Sequence, residues 1–257
     1  MKKTKFAVLF TALIATCGLS SCLGDPDPYT TRTEIMRIDG FPGYYSFESA
    51  GNYVVSPTNS DALTGTFNDG GFAYVTYKFD TRTITQNTSK IEAEIQGLLP
   101  IGEIYRNYGE MESNAPMNTV SSSVQFYDKT NMFINLTYYY EKTADSDDQS
   151  AELDKHRFYL IQDVAEEGEE VDNNTLTLNF VHVVDDADNN VNRKSTGTET
   201  RHFDLSSFIG IDGYVPEKII IKFKRSSNSS IDGADDSQIE IPYKSIMNQY
   251  FKNGSSI

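Results

Sequence analysis

Apolar and polar residues alternate with period two along most of the chain, and that pattern predicts strands. The clearest case is Thr175–Val184. Leu176, Leu178, Phe180, His182 and Val184 face one way, and Thr177, Asn179 and Val181 face the other. In Phe72–Asp80, Ala73, Val75, Tyr77 and Phe79 oppose Tyr74, Thr76 and Lys78. Residues 90–97 place Ile91, Ala93 and Ile95 on one side and Glu92, Glu94 and Gln96 on the other, the signature of a half-buried strand. Shorter runs at 33–38, 44–49 and 53–56 are broken by Asp39-Gly40, Gly43 and Gly51-Asn52. Five strands between residues 33 and 102 suit a small closed barrel, which exposes no sheet edge.

Residues 104–123 lose the alternation and are expected to form a connector. It resumes at 124–127 and in 132–140 (MFINLTYYY), where Met132, Ile134, Leu136, Tyr138 and Tyr140 make the face expected to be buried. An acidic loop over 143–153 precedes a strand over 155–162 (KHRFYLIQ), and a Glu-rich turn at 166–170 is too charged to pack. After Thr175–Val184, a polar hairpin at 185–197 returns through 198–205, and strands follow at 218–224 (KIIIKFK) and 237–243. About seven strands joined by polar loops suit a two-sheet sandwich, so the chain is expected to be all-β.

The N-terminus departs from this pattern. Lys2, Lys3 and Lys5 precede an uncharged run at 6–16. Its eleven residues fit a signal-peptide apolar region and fall short of the ~20 needed to span a bilayer. Leu19, Ser20, Ser21 and Cys22 then resemble a bacterial lipobox. The resemblance implies a diacylglyceryl thioether on Cys22, cleavage before it and acylation of the new amino group. Several acyl chains anchor stably where one binds only reversibly. The competing reading is an ordinary secretory signal with Cys22 left as a thiol, a liability in an oxidising compartment. Cys17 would leave with the signal, so no disulfide would remain. The expected organisation is a signal peptide at 1–21, an acylated tether at 22–32 and a barrel at 33–103. The connector (104–123), the sandwich (124–244) and a loose tail (245–257) follow. Asp25 and Asp27 resemble the acidic residues that follow the acylated cysteine in surface lipoproteins of Bacteroidetes-type bacteria. That implies a lipid-anchored protein of the outer membrane, facing the periplasm or the exterior.

Charge narrows the partners. The formal net charge is −15, and losing the three signal lysines would leave −18. Such a surface opposes nucleic acid and anionic lipid headgroups, so the expected membrane contact is through the anchor, with a protein or glycan as possible ligand. Trp is absent, which counts against a sugar-stacking face, although Tyr44, Tyr45, Phe47 and Tyr53 are candidate platforms or alternatively barrel core. The sequence contains no G-x-S-x-G, H-E-x-x-H, P-loop or G-x-G-x-x-G motif, so neither an enzyme nor a cofactor is expected. Its histidines are His156, His182 and His202. The first two share parity with apolar neighbours and are expected to be satisfied core residues, with no convergence of the three evident. Asp186, Asp188 and Asn190 open like an EF-hand, but Val191 stands where Gly is needed and Gly197 where Glu belongs. A looser calcium site there, or at Asp145, Asp147 and Asp148, stands beside the reading as solvated turns.

The order FINLTYYY, KHRFYLI, LTLNFVH, RHFDLSSF and KIIIKFK resembles the C-terminal domain of NigD-like lipoproteins of Bacteroidetes. The first half resembles their N-terminal domain chiefly through its glycine-broken strands and FAYVTYKFD. The resemblance implies an N-terminal OB-like small barrel followed by an immunoglobulin-like antiparallel β-sandwich. It brings no catalytic residues. It implies a non-enzymatic binding or accessory module of the envelope, with bacteriocin immunity and carbohydrate binding as alternatives. The family's Trp ahead of FINL is absent here, leaving Phe126 or Tyr127 for that core position.

Overall fold

The computed structural model describes residues 27–63, 65, 67–85, 87–107, 109–163, 174–185, 193–210 and 213–251. The signal peptide, Cys22, the Glu-rich turn at 166–170 and the candidate ligands Asp186, Asp188 and Asn190 lie outside the described residues. The chain divides into two compact units at 101/102.

The first unit is the expected barrel. Its strands are β1 (Tyr29–Asp39), β2 (Ser46–Ser49), β3 (Val54–Pro57), β4 (Phe72–Asp80) and β5 (Lys90–Glu103). They close in the order β1-β2-β3-β5-β4 and back to β1, with only β3 and β5 parallel. The alternation read from β4 and β5 holds: Ala73, Val75, Tyr77, Phe79, Ile91, Ala93 and Ile95 are all buried. They pack with Met36, Ile38, Phe47 and Val55 into one apolar core. Burial at about 25 cal/mol per Å² of apolar surface holds the described part of this unit together, since none of its described residues is a cysteine. The tether reading is corrected over 29–32. Those residues are the start of β1 and pair with Asp80, Phe79, Lys78 and Tyr77. The β-branched threonines there match a strand as well as they match a linker. Between β1 and β2, Phe41-Pro42-Gly43-Tyr44 forms a turn closed by Tyr44 N–H donating to Phe41 O at 2.8 Å. Pro42 presets its second position and Gly43, at φ +84°, its third.

The second unit begins with the last two residues of β5. It contains β6 (Tyr105–Arg106), β7 (Met117–Val120), β8 (Gln125–Phe126), β9 (Asn131–Tyr140), α1 (Ser146–Leu153) and β10 (His156–Gln162). β11 (Thr175–Val184), β12 (Ser195–Asp204), β13 (Lys218–Arg225), β14 (Asp235–Ile241) and α2 (Tyr243–Tyr250) complete it. One layer runs β12-β9-β7 with β8 beside β9; the other runs β14-β13-β11-β10-β6, and β7 joins β13 at the single pair Met117–Arg225. Ile134, Leu136 and Tyr138 of the first meet Phe158, Leu160, Leu178, Phe180 and Ile221 of the second in a single core. The result is an all-β sandwich, to which the parallel pairs β11–β13 and β6–β10 add a mixed character.

Three details depart from expectation. The connector over 104–123 contributes β6 and β7 to the sandwich. The acidic loop contains helix α1, capped by Asp145 Oδ1 accepting from Asp147 N–H at 2.8 Å. Asp147 and Asp148 occupy its first turn, where the helix dipole favours negative charge, so this acidic cluster has a structural explanation. The loose tail is helical as far as Tyr250. Tyr243 and Met247, one turn apart, are buried, and Tyr243 OH donates to Lys129 O at 2.8 Å. Phe126 packs edge-on against Tyr243, with ring centroids 5.7 Å apart.

Candidate functional site

The strongest concentration of chemistry lies in the sandwich. His156 opens β10 and His182 lies on β11, with Phe158 opposite His182 in the antiparallel register. That register makes the two histidines diagonal neighbours on one face, close enough for their rings to meet. His156 Nδ1 lies 2.9 Å from His182 Nε2, and the rings stack with centroids 5.2 Å apart. The expectation that they do not converge is therefore corrected. Their reading as buried, satisfied core residues holds for His182 and in part for His156. Tyr138 caps the pair from the other layer, its ring 4.7 Å from His156 and 5.7 Å from His182.

A carboxylate completes the cluster. Glu152, in the last turn of α1, is only 3% exposed. Its Oε1 accepts from Glu141 N–H at 3.1 Å and Arg193 Nε at 2.7 Å, while Lys155 Nζ stands 3.3 Å from Oε2. Burial alone would raise the Glu152 pKa. The Arg193 hydrogen bond, the Glu141 N–H and the neighbouring cations outweigh burial and hold the carboxyl below the usual range. His156 Nε2 is 3.5 Å from Glu152 Oε1, too long for a hydrogen bond, and has no partner.

Pro116 O can only accept, so the 3.4 Å contact is met when His182 carries its proton on Nδ1, and in that tautomer His156 Nδ1–H donates to His182 Nε2. Burial keeps both rings neutral: it lowers the His156 pKa to about 4 against the pull of Glu152, and the His182 pKa to about 3. Glu152, His156 and His182 stand in series, and among the described residues the series ends on the Pro116 carbonyl. The two facing nitrogens are engaged with each other, and no group of three metal ligands forms among the described residues.

The barrel holds a second cluster. Glu34 Oε2 accepts from Tyr53 OH at 2.6 Å and Ser49 Oγ at 3.1 Å, and Oε1 accepts from Tyr77 OH at 2.9 Å. Burial, then the bond to Glu34, raises the Tyr53 pKa. Burial, then Tyr53 and Glu34, raises that of Tyr77 further. Tyr45 and Phe47 are core residues, so three of the four suggested stacking platforms are engaged inside the barrel. Only Tyr44 is well exposed, its ring 5.0 Å from that of Phe41. His202 stands apart from the other histidines, its Nε2 2.8 Å from Asn131 Oδ1.

The fold places the chain in the class of two-unit all-β proteins built from a small barrel and a sandwich. No family model matches the sequence, and no curated protein does either. Among solved structures it is similar to a Bacteroides fragilis protein described provisionally as a lipoprotein. The TM-score is 0.66 at 18% identity, over 83% of this chain and 98% of that one. A Parabacteroides distasonis protein described provisionally as toxin-related gives 0.51 at 15%, over 86% and 99%. An uncharacterized Parabacteroides merdae protein gives 0.51 at 11%, over 82% and 98%. At these identities the likeness establishes the shared fold.

Proposed function

We propose that the chain is a NigD-like, lipid-anchored protein of the outer membrane of a Bacteroidetes-type bacterium, acting as a non-enzymatic binding or accessory module. The observation that carries this reading is the Leu19, Ser20, Ser21, Cys22 pattern directly after a short apolar run. The fold shared with a provisional lipoprotein of Bacteroides fragilis supports it. The sealed character of the His156–His182 cluster supports a binding role over catalysis, since a general base must reach a substrate. The test is metabolic labelling with palmitate. The wild-type chain takes up label and a Cys22→Ala variant does not; label in that variant ends the reading.

A second reading is bacteriocin immunity. The net charge of −18 after signal removal would steer a cationic toxin toward the protein, and one fold neighbour is described provisionally as toxin-related. Deleting the gene then sensitises the producing strain to its own bacteriocin; unchanged sensitivity discards this reading.

A further inference from the structure

We infer that the barrel carries a saccharide-binding cleft at the end where β1 begins. A cavity of about 730 Å³ opens there, lined by Tyr29, Thr58, Lys78, Lys90, Glu92 and Glu94 among others. Its size falls within the roughly 300–1,000 Å³ typical of small-molecule sites. Tyr29 is 51% exposed, and Lys78 Nζ stands 5.3 Å from its ring centroid. The ring is thus fixed on a paired strand while about half its surface stays open, the condition for stacking on the C–H face of a sugar ring.

The polar lining points to the same class. Period-two alternation puts Lys90, Glu92 and Glu94 on one side of β5 at intervals of about 6.8 Å. None of the three makes an ion pair or side-chain hydrogen bond with another described residue. Asp80, also in the lining, is neutralised by Arg82, whose Nη2 lies 2.6 Å from Asp80 Oδ2. Among the described lining residues there remain two ammonium groups and two carboxylates, whose charges balance, and the hydroxyls of Thr58 and Thr83. An anion would meet Glu92 and Glu94, a cation would meet Lys78 and Lys90, and an apolar ligand would leave all four desolvated without partners. A neutral ligand dense in hydroxyls satisfies donors and acceptors together, and an oligosaccharide adds the apolar ring face that Tyr29 requires. The described lining residues all belong to the barrel, so the inference is tested separately from acylation at Cys22.

The test is calorimetric titration of the mature chain with neutral tetrasaccharides of the malto, cello, xylo and chito series. At least one binds in the micromolar to millimolar range. Tyr29→Ala weakens that binding by up to about tenfold, Tyr29→Phe keeps it because the ring remains, and Glu92→Gln weakens it by removing a charged acceptor. Melting temperatures of all three variants stay at the wild-type value, separating lost binding from lost folding. Absence of binding by every tetrasaccharide at millimolar concentration overturns the inference, as does binding that Tyr29→Ala leaves unchanged.

Discussion

The barrel and the sandwich each enclose one carboxylate, and they solve the same problem with different chemistry. In the barrel, Glu34 accepts from the hydroxyls of Ser49, Tyr53 and Tyr77, with Arg32 Nη1 at 3.9 Å as its one nearby cation among the described residues. In the sandwich, Glu152 is met by Arg193, Lys155 and the Glu141 N–H, with a neutral histidine pair behind it. Hydroxyl donors cost less to desolvate than charged ones. An ion pair held at 3% exposure stands on a larger balance of desolvation against Coulomb attraction, and removing one member upsets it.

The largest expected effect follows from that asymmetry. Arg193→Ala strands the Glu152 carboxylate and destabilises the sandwich by about 3–5 kcal/mol, and adding Glu152→Gln restores part of the loss. A thermal melt showing no loss for Arg193→Ala would break the comparison. Acid comes next. His156 and His182 have folded-state pKa values of about 4 and about 3, below the ordinary 6.5 of an unfolded chain. Their neutral form therefore contributes stability that is complete above pH 6.5 and is lost as the pH falls from there through 4. The loss is on the order of a few kcal/mol. The lowered carboxyl of Glu152 adds to it below its ordinary 4.5. Amide exchange followed against pH then shows β10 and β11 losing protection before β1 and β4; simultaneous loss contradicts it. A smaller effect tests the barrel: Tyr77→Phe removes one of three donors to Glu34 and costs about 1–2 kcal/mol in chemical denaturation. Smallest is Asp145→Ala, which removes the α1 cap for about 1 kcal/mol, read as faster exchange confined to that helix.

Period-two alternation is local, so the buried faces of β4 and β5 were legible residue by residue, and with them the all-β class; in β9 and β11 it was incomplete, for Phe133, Tyr139 and Val181 on the opposite faces are also buried and Tyr140 is only half-buried. Burial of Glu152 was not. A short helix of sequence SDDQSAEL carries no apolar stripe and is indistinguishable from a solvated loop until its last turn meets Arg193. The meeting of His156 with His182 needed the β10–β11 register, which no single strand encodes. One missed element did carry a signal. Tyr243, read as the end of a strand, and Met247, in the stretch read as a tail, stand at helical spacing, but a single pair of apolar positions is thin evidence for a helix. The saccharide cleft draws on Lys90, Glu92 and Glu94. Alternation marked them as the outer face of a strand, and only the closing of the barrel set them beside Tyr29.

Strand β1 also has a mechanical consequence. It pairs with β4 over nine consecutive positions, from Tyr29 to Arg37, and β4 pairs in turn with β5. The chain enters the barrel at Tyr29 and leaves it after Ile101, which lies opposite Phe72 at the far end of β4. A pull along the chain, such as a tethered protein feels when its partner is dragged, therefore loads these ladders in shear. Many hydrogen bonds must yield together instead of unzipping singly, so single-molecule stretching through residues 28 and 102 gives one high-force rupture for the barrel.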